Sequence, residues 1–122
     1  MTAQKTSGGL DFETLKRAIE QSDADSLTNF YAEDAEVLTV NRNTTPSSPQ
    51  VLRGKETITE YLADVCGRDM THRVENEVVG QDRIAFNEAC EYPDGLRVLG
   101  AVTLEVRDGQ IVRQVNVEAW DE

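Results

Sequence analysis

From Thr71 to Trp120 the chain reads as four long alternating segments joined by short polar turns, and no other stretch restricts the fold as tightly. The expected strands are Thr71–Val79, Arg83–Tyr92, Leu96–Val106 and Ile111–Trp120. Pro93-Asp94-Gly95 and Asp108-Gly109 separate the last three, and such dipeptides favour tight hairpins. Consecutive hairpins give an antiparallel meander. On the last segment Gln114, Asn116, Glu118 and Trp120 recur at period two, and Arg113, Val115, Val117 and Ala119 occupy the other face. Neither set suits bare solvent, so one face is expected to line a polar pocket and the other to pack on something.

The remaining segments frame that meander. Leu15, Ala18 and Ile19 mark an amphipathic helix over Leu10–Gln21, and Ser22-Asp23 ends it and caps a short second helix through Leu27, Phe30 and Tyr31. Glu36–Val40 is apolar and β-branched, so a strand is expected. Asn41–Gln50 buries almost nothing and reads as a loop, either a lid or a surface excursion. Val51–Arg53 adds a short strand. A third helix over Lys55–Cys66 carries Ile58, Tyr61, Leu62 and Val65 as its stripe. Met1–Gly9 is polar with paired glycines and is expected to be a disordered tail, leaving residues 10–122 as a single domain.

Composition sets limits on partners. A net charge of −11 opposes binding to nucleic-acid backbones and anionic membranes, both of which require concentrated Lys and Arg. No apolar run approaches a membrane span and Met1–Gly9 lacks the apolar core of a secretory signal, which leads to the expectation of a cytoplasmic protein. Cys66 and Cys90 are then expected as free, buried thiols. A lone histidine and the absence of a CxxC, a phosphate loop or a nucleophile elbow give the expectation of no metal and no cofactor.

The order of two helices, strand, helix and four-strand meander resembles the nuclear transport factor 2-like superfamily, in particular its SnoaL-like branch. The residues that carry the resemblance are Asn29-Phe30-Tyr31-Ala32-Glu33-Asp34-Ala35, Arg53-Gly54-Lys55-Glu56, Asp108-Gly109-Gln110-Ile111-Val112 and the terminal Trp120-Asp121. The resemblance implies an α+β fold in which a strongly curved antiparallel sheet wraps three helices as a cone, with a ligand cavity at its open end. It also implies a homodimer paired through the outer sheet face.

In that cone, alternation turns Val112, Gln114, Asn116, Glu118 and Trp120 inward on the last strand. The inward sets before it are Val98, Gly100, Val102, Leu104 and Val106, then Ile84, Phe86, Glu88, Cys90 and Tyr92, then His72, Val74, Asn76 and Val78, with Thr39 at the cavity edge. His72 and Glu118 are the candidate catalytic residues, because an imidazole titrates near neutrality and an enclosed carboxylate can act as a base. Thr39, Tyr61, Glu88, Gln114, Asn116 and Trp120 are the candidate ligand-binding residues.

The family's chemistries discriminate unevenly. The positions where the ketosteroid isomerase branch carries its catalytic groups hold Leu15, Thr39 and Val102 here. His72 and Asn116 resemble two dehydratase positions of the scytalone type, whose second histidine has no counterpart. An Asp-Arg-Asp set of the limonene epoxide hydrolase kind has no place in the chain, while cyclase chemistry is allowed. Two readings compete. One is a proton-transfer enzyme of isomerase, cyclase or dehydratase type acting on a small, largely apolar molecule, with Glu118 or His72 as base and Asn116 and Gln114 orienting an oxygen. The other is a non-catalytic ligand-binding or protein-interaction domain. An enzyme is expected to place a carboxylate or His72, with a shifted pKa, at the bottom of the cavity, and a binder to place those groups at the mouth over an apolar floor.

Overall fold

The computed structural model of the protein describes residues 6–121. Strands β1 (Thr6–Ser7) and β2 (Leu10–Asp11) form a small hairpin that leads into helix α1 (Phe12–Glu20). Helix α2 (Ala24–Thr28), strands β3 (Tyr31–Val40) and β4 (Gln50–Arg53), and helix α3 (Lys55–Cys66) follow. The chain closes with β5 (Thr71–Val79), β6 (Arg83–Glu91), β7 (Arg97–Arg107) and β8 (Gln110–Trp120). Six strands form one open sheet in the order β4-β3-β8-β7-β6-β5. The helices pack on its concave side, α1 against β5 and α3 against β3 and α2. No helix of the described residues is long and apolar enough to cross a membrane.

Local chemistry explains the helix ends. Asp11 caps α1 by accepting from the Glu13 amide at 3.2 Å and the Thr14 hydroxyl at 2.8 Å, and Asp23 caps α2 through the Ser26 amide. Phe12, Leu15 and Ala18 then face the core. That core joins the two layers through residues such as Ile58, Ile84, Leu104 and Ile111, each 2% exposed or less.

The structure corrects the sequence reading at several points. Within the expected tail, residues 1–5 lie outside the described residues, but Thr6–Gly9 is built into the domain. Ser7 is buried, the Gly8 amide donates to the Gln81 carbonyl, and the Gly8 carbonyl accepts from Gly109. Gly8 has φ +53, and a Cβ there would lie 2.8 Å from the Val106 carbonyl oxygen, so the paired glycines serve a close approach between backbones. Tyr31 opens β3 and does not close the second helix. The sheet is mixed, because β3 runs parallel to β8 while every other pair in it is antiparallel. Register shifts break the alternation at three places, the first on β3 between Tyr31 and Glu36 opposite β8. On β5 the pairing shifts between Glu75 and Val78, Asn76 takes φ 58, and both Asn76 and Val78 are exposed instead of inward. On β8 Ile111 pairs with Val106 and Arg113 with Glu105, so Val112 is the extra residue: Ile111 is fully buried beside it, and Val112 is half-buried against the core.

Candidate functional site

Beyond the bulges the strands stay in register, and their inward side chains stack in rows across the sheet. The row nearest the open end is His72, Cys90, Val98 and Trp120. Below it come Val74, Glu88, Gly100 and Glu118. The third row is Phe86, Val102, Asn116 and Thr39, and the deepest is Ile84, Leu104, Gln114 and Val37. Apart from Val74 and Ile84, these rows line a cavity of about 390 Å³ together with Ile58, Tyr61, Leu62 and Cys66 of α3. That volume suits a small organic molecule.

The deepest polar groups form one chain of hydrogen bonds. The Tyr31 phenol donates to Gln114 Oε1 at 2.5 Å, Gln114 Nε2 donates to Asn116 Oδ1 at 2.8 Å, and Asn116 Nδ2 donates to the Thr39 hydroxyl at 3.2 Å. Thr39 is buried in this chain and lines the cavity wall. The parallel β3–β8 pairing makes the chain possible by placing Thr39 opposite Asn116. A primary amide carries two N–H bonds, so Gln114 and Asn116 each keep one to offer a ligand.

One row higher, Glu88 and Glu118 flank Gly100 on neighbouring strands, with backbones about 9–10 Å apart at two strand spacings. Gly100 contributes no side chain, which leaves the space between the carboxylates open. Trp120 Nε1 donates to Glu118 Oε1 at 3.3 Å. On the other side His72 Nδ1 lies 2.9 Å from Glu88 Oε2, and Cys90 Sγ lies 3.3 Å from Nδ1 and 3.5 Å from the same carboxylate oxygen. The His72 side chain is only 4% exposed against 25% for Glu88, and its Nε2 is buried without a partner. The imidazole therefore addresses the cavity through Glu88. Cys90, expected as an inert buried thiol, takes part in this cluster.

The carboxylates set the field of the cavity. Burial first, then Glu88, hold the Tyr31 phenol protonated far above the usual range. Burial first, then Glu118 and Glu88, push Tyr61 up to about 12. Burial first, then Glu88, also push the Cys90 thiol strongly up. A testable consequence follows for Tyr61. Its folded value lies above the ordinary 10.0, so its contribution to stability is complete below that pH and is lost as pH rises toward about 12. Denaturation midpoints at about pH 9 and about pH 11 should differ less in Tyr61→Phe than in the unmodified protein, and an unchanged difference would count against this environment.

The mouth contains residues the sequence did not single out. Arg68, two residues past α3, donates to Asp64 at 2.6 Å and to the Tyr92 hydroxyl at 3.3 Å. The Tyr92 and Trp120 rings lie 6.3 Å apart, and the Arg42 guanidinium carbon sits 4.2 Å from the centre of the Trp120 ring. The loop after β3 thus borders the opening, with Asn41 and Asn43 on its wall. Arg68 is legible in hindsight as a helical pair with Asp64, four residues earlier. Arg42 is not, because an aperiodic loop carries no facing signal.

No curated protein is significantly similar to the chain in sequence. Among solved structures, an NTF2-like protein of unknown function from Mesorhizobium loti superposes with a TM-score of 0.74 at 19% identity, over 88% of this chain and 86% of the other. A proposed ketosteroid isomerase from Kribbella flavida DSM 17836 gives 0.72 at 18% identity, over 90% and 74%. The epoxide hydrolase/cyclase-like enzyme SalBIII, from pyran ring formation in the polyether salinomycin, gives 0.64 at 18% identity, over 84% and 83%. At such identities the likeness is one of fold. The SnoaL-like domain model matches residues 12–114, which run from the first residue of α1 to the amide at the cavity floor. The three helices, the curved sheet and the hollow between them are thus those of the SnoaL-like domain family, to which this chain belongs, in the NTF2-like fold.

Proposed function

We propose that the cavity binds a small, largely apolar molecule bearing a carbonyl or similar oxygen and moves a proton on it. The observation that carries this reading is the placement of Glu118 and Glu88 on either side of Gly100, with two amide donors one and two rows deeper. Glu118 is the base: it faces the open space and accepts one hydrogen bond, from Trp120. Glu88, held by His72 and Cys90, faces it and takes part in returning the proton. The free N–H bonds of Asn116 and Gln114 hold the oxygen on which charge develops. Leu15, Leu62, Phe86 and Val102 supply apolar contact. Leu15, Thr39 and Val102 leave the ketosteroid isomerase constellation unfilled, so the proton transfer is of another geometry. The carboxylates lie below the mouth and above the deepest row, a depth at which a bound molecule reaches both.

The test uses the purified protein in deuterated water with a panel of cyclic ketones and enones. Mass spectrometry should show deuterium entering beside the carbonyl faster than in buffer for at least one of them. Native mass spectrometry against a metabolite extract runs in parallel. A ligand that binds in the cavity while no panel member or captured molecule exchanges would overturn catalysis in favour of a binding domain.

The outer sheet face supports a second copy of this chain as partner. Leu99 and Val117 are 52% and 51% exposed there, and Val115 and Ala119 lie on the same face. An ion-paired row bounds them, with Arg53 and Arg113 on Glu36 and Arg83 on Glu105. An apolar band between alternating charges suits a self-complementary interface. Val117→Asp is expected to convert a dimer to a monomer in light scattering. A monomeric unmodified protein, or an unaffected dimer, would remove this assignment.

A further inference from the structure

The corner of the cavity formed by β5 and β6 gathers a donor set of which the proton-transfer reading uses only Glu88 directly. His72 and Cys90 are a paired cross-strand couple, and Glu88 lies two residues before Cys90 on the same inward face. Their nitrogen, sulfur and oxygen atoms lie within 4.8 Å of one another, and among the described residues no other group of three or more His, Cys, Asp or Glu side chains is so gathered. We propose that His72, Glu88 and Cys90 form a three-ligand site for a soft divalent cation of the zinc type, open on its fourth side to the cavity.

Three observations support it. The first is geometry. Zinc bonds of about 2.0–2.3 Å at tetrahedral angles separate ligand atoms by about 3.4–3.6 Å. The separations here are 2.9, 3.3 and 3.5 Å. An entering ion therefore spreads the three atoms by no more than about half an ångström. The second is rigidity. All three side chains stand on two adjacent, hydrogen-bonded strands, so little order must be created on binding. The third is charge. Glu88 and Glu118 face a cavity whose lining arginine, Arg68, is already engaged with Asp64 and Tyr92 at the mouth.

A mixed nitrogen, oxygen and sulfur set selects zinc over magnesium or calcium, which favour oxygen alone. Binding displaces the Cys90 proton to solvent and takes the Nδ1 lone pair of a neutral His72, whose proton then resides on Nε2. Glu88 pairs with Gly100 and Gly100 with Glu118, so an oxygen of a molecule bound between the carboxylates would be within reach as a fourth ligand. Metal binding does not depend on turnover, so this inference and the proton-transfer reading fail separately.

The experiment is titration of chelator-treated protein with cobalt(II), a spectroscopic stand-in for zinc. A thiolate-to-cobalt charge-transfer band and the intense visible bands of four-coordinate cobalt are expected, both removed by zinc. Cys90→Ser should abolish the charge-transfer band, and Cys66→Ser should leave it in place. His72→Ala should weaken binding by more than the roughly 10- to 100-fold that follows loss of an outer partner. Circular dichroism of each variant separates loss of the site from loss of the fold. No band in the folded unmodified protein, or a band that survives Cys90→Ser, would overturn the proposal.

Discussion

Phe12→Ala is expected to lower the stability of the protein by about 3–5 kcal/mol, the range for emptying a buried aromatic site. Phe12 is 1% exposed and stands at the first turn of α1. Its ring centre lies 6.1 Å from that of Phe86 on β6, at an interplanar angle of 56°. That contact joins the helical layer to the strand that also carries Glu88 and Cys90. The site has little freedom to collapse, because α1 enters from the β1–β2 hairpin, which Gly8 ties to Gln81 and Gly109. A domain of this size holds only about 5–15 kcal/mol in reserve, so the loss is a large share. Urea denaturation should show a lower midpoint with an unchanged slope. A loss below about 1 kcal/mol would mean that Phe12 is not part of the seam between the layers.

Glu118→Gln is expected to slow proton exchange on a ligand by about 10²- to 10⁴-fold, the contribution of a positioned acid–base group. The substitution keeps the shape of the side chain and an oxygen for Trp120 Nε1, so ligand affinity should change little while the rate falls. Glu88→Gln should act differently. It leaves His72 Nδ1 and Cys90 Sγ facing an amide in place of a carboxylate, which disturbs the cluster as well as the charge. Its effect on exchange should be smaller than that of Glu118→Gln and accompanied by a loss of stability. If Glu88→Gln abolishes exchange while Glu118→Gln retains it, the base lies on the histidine side of Gly100 and the assignment of roles reverses. The measurement is initial exchange rate against ligand concentration, which separates rate from affinity.

Period-two alternation located most of the cavity wall without coordinates. On β7 the inward set Val98, Gly100, Val102, Leu104 and Val106 is the one the pattern predicts, and β6 agrees through Ile84, Phe86 and Glu88. Alternation is a property of the local backbone, and turns such as Asp108-Gly109 fix where each strand begins. The start of α2 was legible for a similar reason, since Asp23 caps it through Ser26 three positions away, whereas the Asp11 cap of α1 and the end of α2 before Tyr31 were not. Bulges escaped this logic. One extra residue at Asn76 or Val112 moves the face that a side chain occupies, and nothing in composition marks its position.

The convergence of the site belonged to tertiary structure alone. Thr39 meets Asn116 across 77 positions of sequence, and only because β3 lies parallel to β8. His72 meets Cys90 and Glu88 because β5 and β6 pair in one register out of several that the same pattern allows. The sequence by itself determined which residues share a face, since facing is decided by neighbours along the chain. Which faces meet, and at what depth a carboxylate then sits, was decided by strand pairing and by the close packing of α1 and α3 into the curved sheet. Those are long-range choices settled by the burial of the whole core, and no short stretch of residues encodes them.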